Sequence, residues 1–327
     1  MKSTVEIFSE LGARLAEFGS DDASRSAMAR AVATNKWFSA SDIRYAVEAL
    51  RDEMLDAEKV ANWLSHYPSV ALGEAKRVAI IMAGNIPLVG FFDLMCVIAN
   101  GDIPYVKPSS KDAVLEAYVE QLLKDIEPSL RIERYSEGVD YDAVIATGGD
   151  SANLYFQSAF GGIPSLLRGS RHSVAVLDGS ESEEQMEALR RDIYTYNGLG
   201  CRNVSLIFVP RDWQGEIPHP DTVLEMKCGN YVSDKALLTM LGVKFEDLGG
   251  ALAIESLSLP DSLSRIHYYR YDSLSEVDAW LAERDAALQC VVSQCVEHPR
   301  RVDFGRAQYP TLWDYADGID VMKFLTA

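Results

Sequence analysis

The chain reads as an α/β protein: a helical stretch first, then a parallel sheet with helical crossovers, then further strands and helices. Three observations predict this. Apolar residues recur at helical spacing over about the first 66 residues. From residue 77 short apolar, β-branched runs alternate with helical segments. Gly, Pro and Asn-Gly signals fall where strands must hand over to helices.

In chain order, Ile7, Leu11, Leu15 and Phe18 form one helical stripe and Ile43, Val47, Leu50, Met54 and Leu55 another. The polar GSDDASRS and NKWFSASDI segments connect helices here. VAIIMA (78–83) is a buried strand. After Gly84, Asn85 is read as an N-cap and Pro87 as a first-turn residue of a deeply buried helix, which Asn100-Gly101 ends. Ile103–Lys107 is a strand ended by Pro108, and Ser109 with Asp112 reads as a capping box for a helix over 112–123. A strand over 143–146 runs into Thr147-Gly148-Gly149 and a helix over 151–160. A strand over 173–177, a charged helix over 183–194 and a buried strand over 204–209 follow. Helical stretches lie within 223–241, strands at 251–257 and 266–271, a helix at 275–287 and the start of a last strand at Val291 and Val292. The tail from 304 to 324 is rich in Gly, Asp and aromatics and low in periodicity.

Composition excludes some functions. At 327 residues, 48% hydrophobic and 24% charged, the chain suits a water-soluble protein of two domains, or of one large α/β domain with additions. A net charge of −18 argues against general nucleic-acid binding, which needs clustered Lys and Arg. The five cysteines (96, 201, 228, 290, 295) make no C-x-x-C pair and do not alternate with histidines, so neither a metal site nor a disulfide framework is expected. With no apolar leader at the N-terminus and no run of about 18 apolar residues, the sequence predicts no membrane span and reduced thiols in a cytoplasm.

Chemistry concentrates at a few turns. In YTYNGLGCRNVSLIFVP (194–210), glycines 198 and 200 deliver Cys201 to the mouth of an apolar strand, with small neighbours that leave the thiol room to meet a substrate. A thiol so placed is either a small buried hydrophobe or a nucleophile toward acyl carbon. Thr147-Gly148-Gly149, before a helix N-terminus, suits an anionic ligand, although no G-x-G-x-x-G is present. Lys107 and Ser109 lie past the carboxyl end of a parallel strand, where open α/β sheets bind ligands. The Asn85 amide either caps a helix or donates to a developing oxyanion.

Taken in order, Asn-x-Pro, the strand ending Lys-Pro-Ser, T-G-G, R-G-S-R and G-x-G-C together resemble the aldehyde dehydrogenase superfamily. Within it, GNIPLVGFFDL, YVKPSSKD and IATGGD look most like the acyl-CoA reductases typified by the fatty acid reductase of bacterial luminescence. The resemblance covers about residues 77–210, and more loosely 250–292. It implies an aldehyde dehydrogenase-like fold: a helical N-terminal region (1–70) packing on a Rossmann-type dinucleotide-binding domain (71–180), a second α/β catalytic domain with the cysteine (181–303), and a tail (304–327) returning to the core. It further implies that Cys201 is acylated and that Asn85 stabilises the oxyanion. Lys107 and Ser109 would face the cofactor's adenosine ribose, Thr147, Gly148 and Gly149 its pyrophosphate, and Glu255 its nicotinamide ribose. Arg168 and Arg171 would meet phosphates or lie solvated, and His298 is a candidate proton donor.

Aligning Gly169-Ser170-Arg171 on the superfamily's G-G-K segment places Leu167 where hydrolytic members carry a glutamate base, which disfavours hydrolysis and leaves transfer to or from a thiol. The implied activity is reduction of an acyl-CoA thioester to an aldehyde. NADPH is the implied cofactor, NADH not being excluded, and a homodimer is expected as a possible assembly. Two alternatives stay open at this point: reduction of an acyl phosphate, and a catalytically silent nucleotide- or acyl-binding relative.

Overall fold

A computed structural model describes residues 2–67 and 74–327. The chain divides into two compact units, residues 1–170 with 310–327, and residues 171–309.

The first unit opens with four helices whose starts are written in side chains. Ser3 and Glu6 close a capping box on α1 (Thr4–Leu15), Asp21 caps α2 (Asp22–Thr34), Ser39 caps α3 (Ala40–Met54) and Asp56 caps α4 (Ala57–Leu64). Their apolar stripes bury Phe8, Leu11, Leu15, Ile43 and Trp63 in one cluster with Ile80, Leu94 and Met95. β1 (Arg77–Ile81), α5 (Phe91–Ala99), β2 (Ile103–Lys107), α6 (Ala113–Ile126), β3 (Glu133–Arg134), β4 (Ala143–Thr147), α7 (Asp150–Phe160) and β5 (Ser165–Arg168) follow. The strands form one sheet, all parallel, ordered β3-β2-β1-β4-β5. The order turns back at β1 and β4, and the crevice outside the carboxyl ends of those strands is where such sheets bind ligands.

The second unit contains β6 (His172–Val176), α8 (Glu183–Tyr194), β7 (Val204–Pro210), α9 (Glu225–Met240), β8 (Glu246–Asp247), β9 (Leu252–Glu255), β10 (Arg265–Tyr271), α10 (Leu274–Arg284), β11 (Leu288–Ser293) and β12 (Arg301–Val302). Its sheet runs β12-β11-β6-β7-β10-β9-β8, parallel except at the β8/β9 edge. Both faces are covered: Val174, Val176, Leu206 and Phe208 enter one core with Trp280, and Ala175, Ile207 and Val209 enter another with Leu189 and Ile193.

Several expectations are corrected. β6 pairs with β7 and β11, so the boundary expected at 180 falls at 170. The expected boundary at 70 lies outside the described residues. The tail divides: Gly305 and Ala307 donate backbone N–H to Asp192 of α8, while Tyr315, Leu325 and the helix Val321–Thr326 pack in the first core. β3, β5, β8 and β12 have no counterpart among the expected strands. The buried helix starts at Phe91 with Gly90 as N-cap, so Asn85 does not cap it. Asp112 is the N-cap of α6 but makes no side-chain cap bond, so the capping box with Ser109 does not form.

Candidate functional site

In the first unit, the carboxyl edge of the sheet gathers most of the expected residues. Met82 N–H donates to the Lys107 carbonyl, and β1 pairs with both β2 and β4, so the exits of these three strands lie side by side. A Cβ on Gly84 would stand 2.5 Å from Ser109 Cβ, so only glycine lets the β1 exit pass Ser109. Lys107 is exposed, its ammonium 5.2 Å from the Tyr135 ring centroid. Gly149 is the N-cap of α7, with no side-chain cap bond, and a Cβ there would meet nothing within 4 Å. An uncapped helix start with open space before it fits an anionic group such as a pyrophosphate. Asp150 is drawn aside, its Oδ1 accepting from Ser170 N–H at 3.2 Å.

Asn85 is half-buried in the turn between β1 and α5. That turn is strained at Leu88, whose φ is 56°, a left-handed value rare for a non-glycine residue. Leu88 N–H donates to Asp112 Oδ2 at 2.6 Å. Asp112 is buried, and desolvation pushes its carboxyl up to about 7 against the opposing pull of the Leu88 N–H. Glu116, one helical turn further along α6, is also buried, and burial first, then the neighbouring Asp112, drives its carboxyl far upward. The sequence gives little warning of this pair, because acids on an amphipathic helix ordinarily face water.

In the second unit, Cys201 is exposed in the loop before β7. Its backbone carbonyl accepts from Ser173 Oγ at 2.8 Å, and the same hydroxyl accepts from Cys290 N–H at 3.1 Å. Three consecutive residues ahead of it take left-handed values: Tyr196 (φ 55°), Asn197 (φ 58°) and Gly198 (φ 81°). Asn203, 4% exposed, ties this loop from inside. Its Oδ1 accepts from Gly200 N–H at 2.8 Å, and its Nδ2 donates to the carbonyls of Asp192, Ile193 and Thr195 at 3.2, 3.1 and 2.9 Å. Lys227 of α9, buried, donates from Nζ to the Asn197 carbonyl at 3.1 Å. Neither Asn203 nor Lys227 stood out in the sequence.

Other expected residues fall elsewhere. Register sets Glu255 level with Tyr268 and hence with Ile207, six positions after Cys201. Glu255 closes β9, at the carboxyl end of that strand. The amino end of β10 carries Arg265, paired with Asp234 and Asp261 at 2.8 and 2.7 Å. Arg168 is neither solvated nor positioned for a phosphate: it is buried and paired with Asp93 at 2.6 Å. His298 has both ring nitrogens engaged, Nε2 with Asp285 Oδ1 at 3.2 Å and Nδ1 with Arg300 N–H at 3.1 Å. Leu167 lies in β5 and packs on an apolar cluster, so no carboxylate occupies that position. Among the described residues no helix is long and apolar enough to cross a membrane, and no cluster of His, Cys, Asp and Glu is arranged to hold a metal.

A doubly wound parallel sheet in one unit and a cysteine ahead of a central strand in the other define the class: the fold is that of the aldehyde dehydrogenases. The chain is similar to aldehyde dehydrogenase 21 from Physcomitrella patens in complex with the product succinate (14% identity, 86% of this chain and 70% of that one, TM-score 0.62). It is similar to an acetylating aldehyde dehydrogenase from Geobacillus thermoglucosidasius (12%, 90% and 76%, 0.59). A third is aldehyde dehydrogenase C from Pseudomonas syringae, complexed with NAD+ and octanal (13%, 90% and 72%, 0.63). None of the curated proteins matches by sequence. Residues 22–218 match the acyl-CoA reductase (LuxC) family, and the chain belongs to that family.

Proposed function

We propose that the chain reduces an acyl-CoA thioester to an aldehyde, with Cys201 as the nucleophile and a reduced nicotinamide dinucleotide as hydride donor. The observation that carries this reading is Cys201 itself, exposed on a loop that the buried side chains of Asn203 and Lys227 hydrogen-bond from within, in a member of the acyl-CoA reductase family.

Cys201 Sγ attacks the acyl carbonyl and the coenzyme A thiolate leaves, which keeps the acyl group as a thioester on the protein. Asn85 Nδ2 donates to the oxyanion that develops on the carbonyl oxygen; the amide is not used as the cap of α5, in keeping with this role. When bound, the nicotinamide supplies hydride to the thioester carbon; the resulting hemithioacetal takes a proton and collapses to aldehyde and free Cys201 thiol. Leu167 leaves the position of a hydrolytic base apolar, which favours thiol exchange over hydrolysis of the acyl-enzyme.

Thr147, Gly148 and Gly149, with the uncapped start of α7, would hold the cofactor's pyrophosphate, and Lys107 and Ser109 its adenosine ribose. NADPH is the proposed form, with NADH as the comparison.

The test is oxidation of each cofactor with acyl-CoA and with acyl phosphate of matched chain length. Activity with acyl-CoA, near-complete loss in Cys201→Ser and about a 100-fold fall in Asn85→Ala are expected, the second being typical of one lost oxyanion donor. Wild-type rates in both variants, or turnover of acyl phosphate alone, overturn the assignment.

A further inference from the structure

We propose that Lys227 is the positioning residue of the nucleophile loop: its side chain, donating to the Asn197 carbonyl, holds the left-handed run Tyr196–Gly198 and thereby the approach of Cys201 to an acyl carbon. The inference rests on the reading of Cys201 as the acylated thiol.

Three features of the second unit carry it. Lys227 is 4% exposed, an environment lysine rarely enters without a task. Its Nζ meets the Asn197 carbonyl at 3.1 Å and stands 5.4 Å from the Tyr194 ring centroid, so helix and loop are joined by a charge-assisted hydrogen bond beside an aromatic face. The bond falls on the middle residue of three that hold left-handed φ values, the part of the loop most inclined to relax. A Cβ on Gly198 would meet Lys227 Nζ at 3.8 Å, Ile193 O at 3.6 Å and Leu263 Cδ1 at 3.5 Å, so the turn is packed against this ammonium, a carbonyl of α8 and a leucine methyl. Downstream, Gly200 N–H is fixed to Asn203, and Cys201 follows directly.

Burial lowers Lys227 to about 8. The titratable group facing it is Tyr194, which burial raises and whose hydroxyl donates to the Pro218 carbonyl, so it stays neutral over the same range. The loop is therefore held by a charged donor below about pH 8 and by a weaker neutral amine above it.

The full chain is used, with three readouts. Single-turnover acylation of Cys201 by a medium-chain acyl-CoA is followed by peptide mass spectrometry, because Cys228 is exposed as well. At pH 7, Lys227→Met is expected to slow acylation about 10-fold, the loss typical of one charged hydrogen bond, and to speed amide exchange in the 194–203 segment, while Lys227→Arg restores much of both. The ratio of wild-type to Lys227→Arg acylation rates, in which the thiolate fraction cancels, is expected to fall as pH rises through 8. Wild-type acylation and exchange in Lys227→Met, or a ratio independent of pH, overturns the proposal. Should Lys227→Arg fail to fold, the methionine variant decides by the first two readouts. Should wild-type Cys201 take no acyl group, the enzymatic reading falls, and amide exchange alone judges whether Lys227 holds the loop.

Discussion

In the first unit the turn from Gly84 to Gly90 is tied to one buried anion-forming group, Asp112, which accepts the N–H of strained Leu88. In the second, the loop from Thr195 to Cys201 is held by donors, the Asn203 amide and the Lys227 ammonium, which satisfy its carbonyls. Both loops carry a proposed chemical group, Asn85 in one and Cys201 in the other, and both keep non-glycine residues at positive φ. The two fastenings differ in polarity, and so they respond to pH in opposite senses.

Because burial lifts Asp112 from its ordinary 3.8 to about 7, the folded chain binds that proton more tightly than the unfolded one. Its contribution to stability is full below the ordinary value and is lost as pH rises to about 7. Lys227, lowered from 10.5 to about 8, behaves inversely: its contribution is present above the ordinary lysine value and is lost as pH falls to about 8.

The comparison is broken most readily at Asn203. Asn203→Ala leaves two carbonyls of the last turn of α8, one loop carbonyl and one loop N–H without their side-chain partner and is expected to cost about 3 kcal/mol, read from urea denaturation; an unchanged midpoint would show that the loop does not depend on its internal tie. Next comes the pH signature of the first unit. Asp112→Asn keeps an acceptor for Leu88 but cannot titrate, so its stability relative to wild type should grow by about 3 kcal/mol between pH 4 and pH 7. A flat difference across that range would remove Asp112 from the argument.

Two glycine replacements sharpen it further. Gly84→Ala drives a methyl to within 2.6 Å of Ser109 Oγ and is expected to cost about 1.5 kcal/mol, with a loss of cofactor affinity in titrations if the β1 exit lines that site. Gly198→Ala places a side chain at φ 81° and is expected to cost about 1 kcal/mol by thermal denaturation. A larger effect at Gly198 than at Gly84 would show that positive φ, and not the close approach to Ser109, sets the tighter constraint on glycine.

Much of the scaffold was legible because strand, turn and helix signals are local. The T-G-G turn, the helix over 183–194 and the glycine-flanked Cys201 stand where their residues indicate. Asn85 shows where local reading fails. Asn85 with Pro87 two positions on reads as a helix start, yet Gly90 must pass Met82, where a Cβ would lie 2.6 Å from Met82 Cγ, and the chain turns through Leu88 before the helix begins at Phe91. Glu255 shows another limit: its level in the sheet, opposite Tyr268 and Ile207, is set by inter-strand register, which sequence spacing across a long connection does not encode.

By itself, the sequence determined the class of fold and the family, since periodicity, glycine turns and motif order are properties of neighbouring positions. Only the tertiary structure decided that Asp112, Glu116, Asn203 and Lys227 lie inside the protein and that Arg168 is buried against Asp93. Burial and partnership set the proton affinity and hydrogen-bond duty of such side chains, and both arise from segments far apart in the chain.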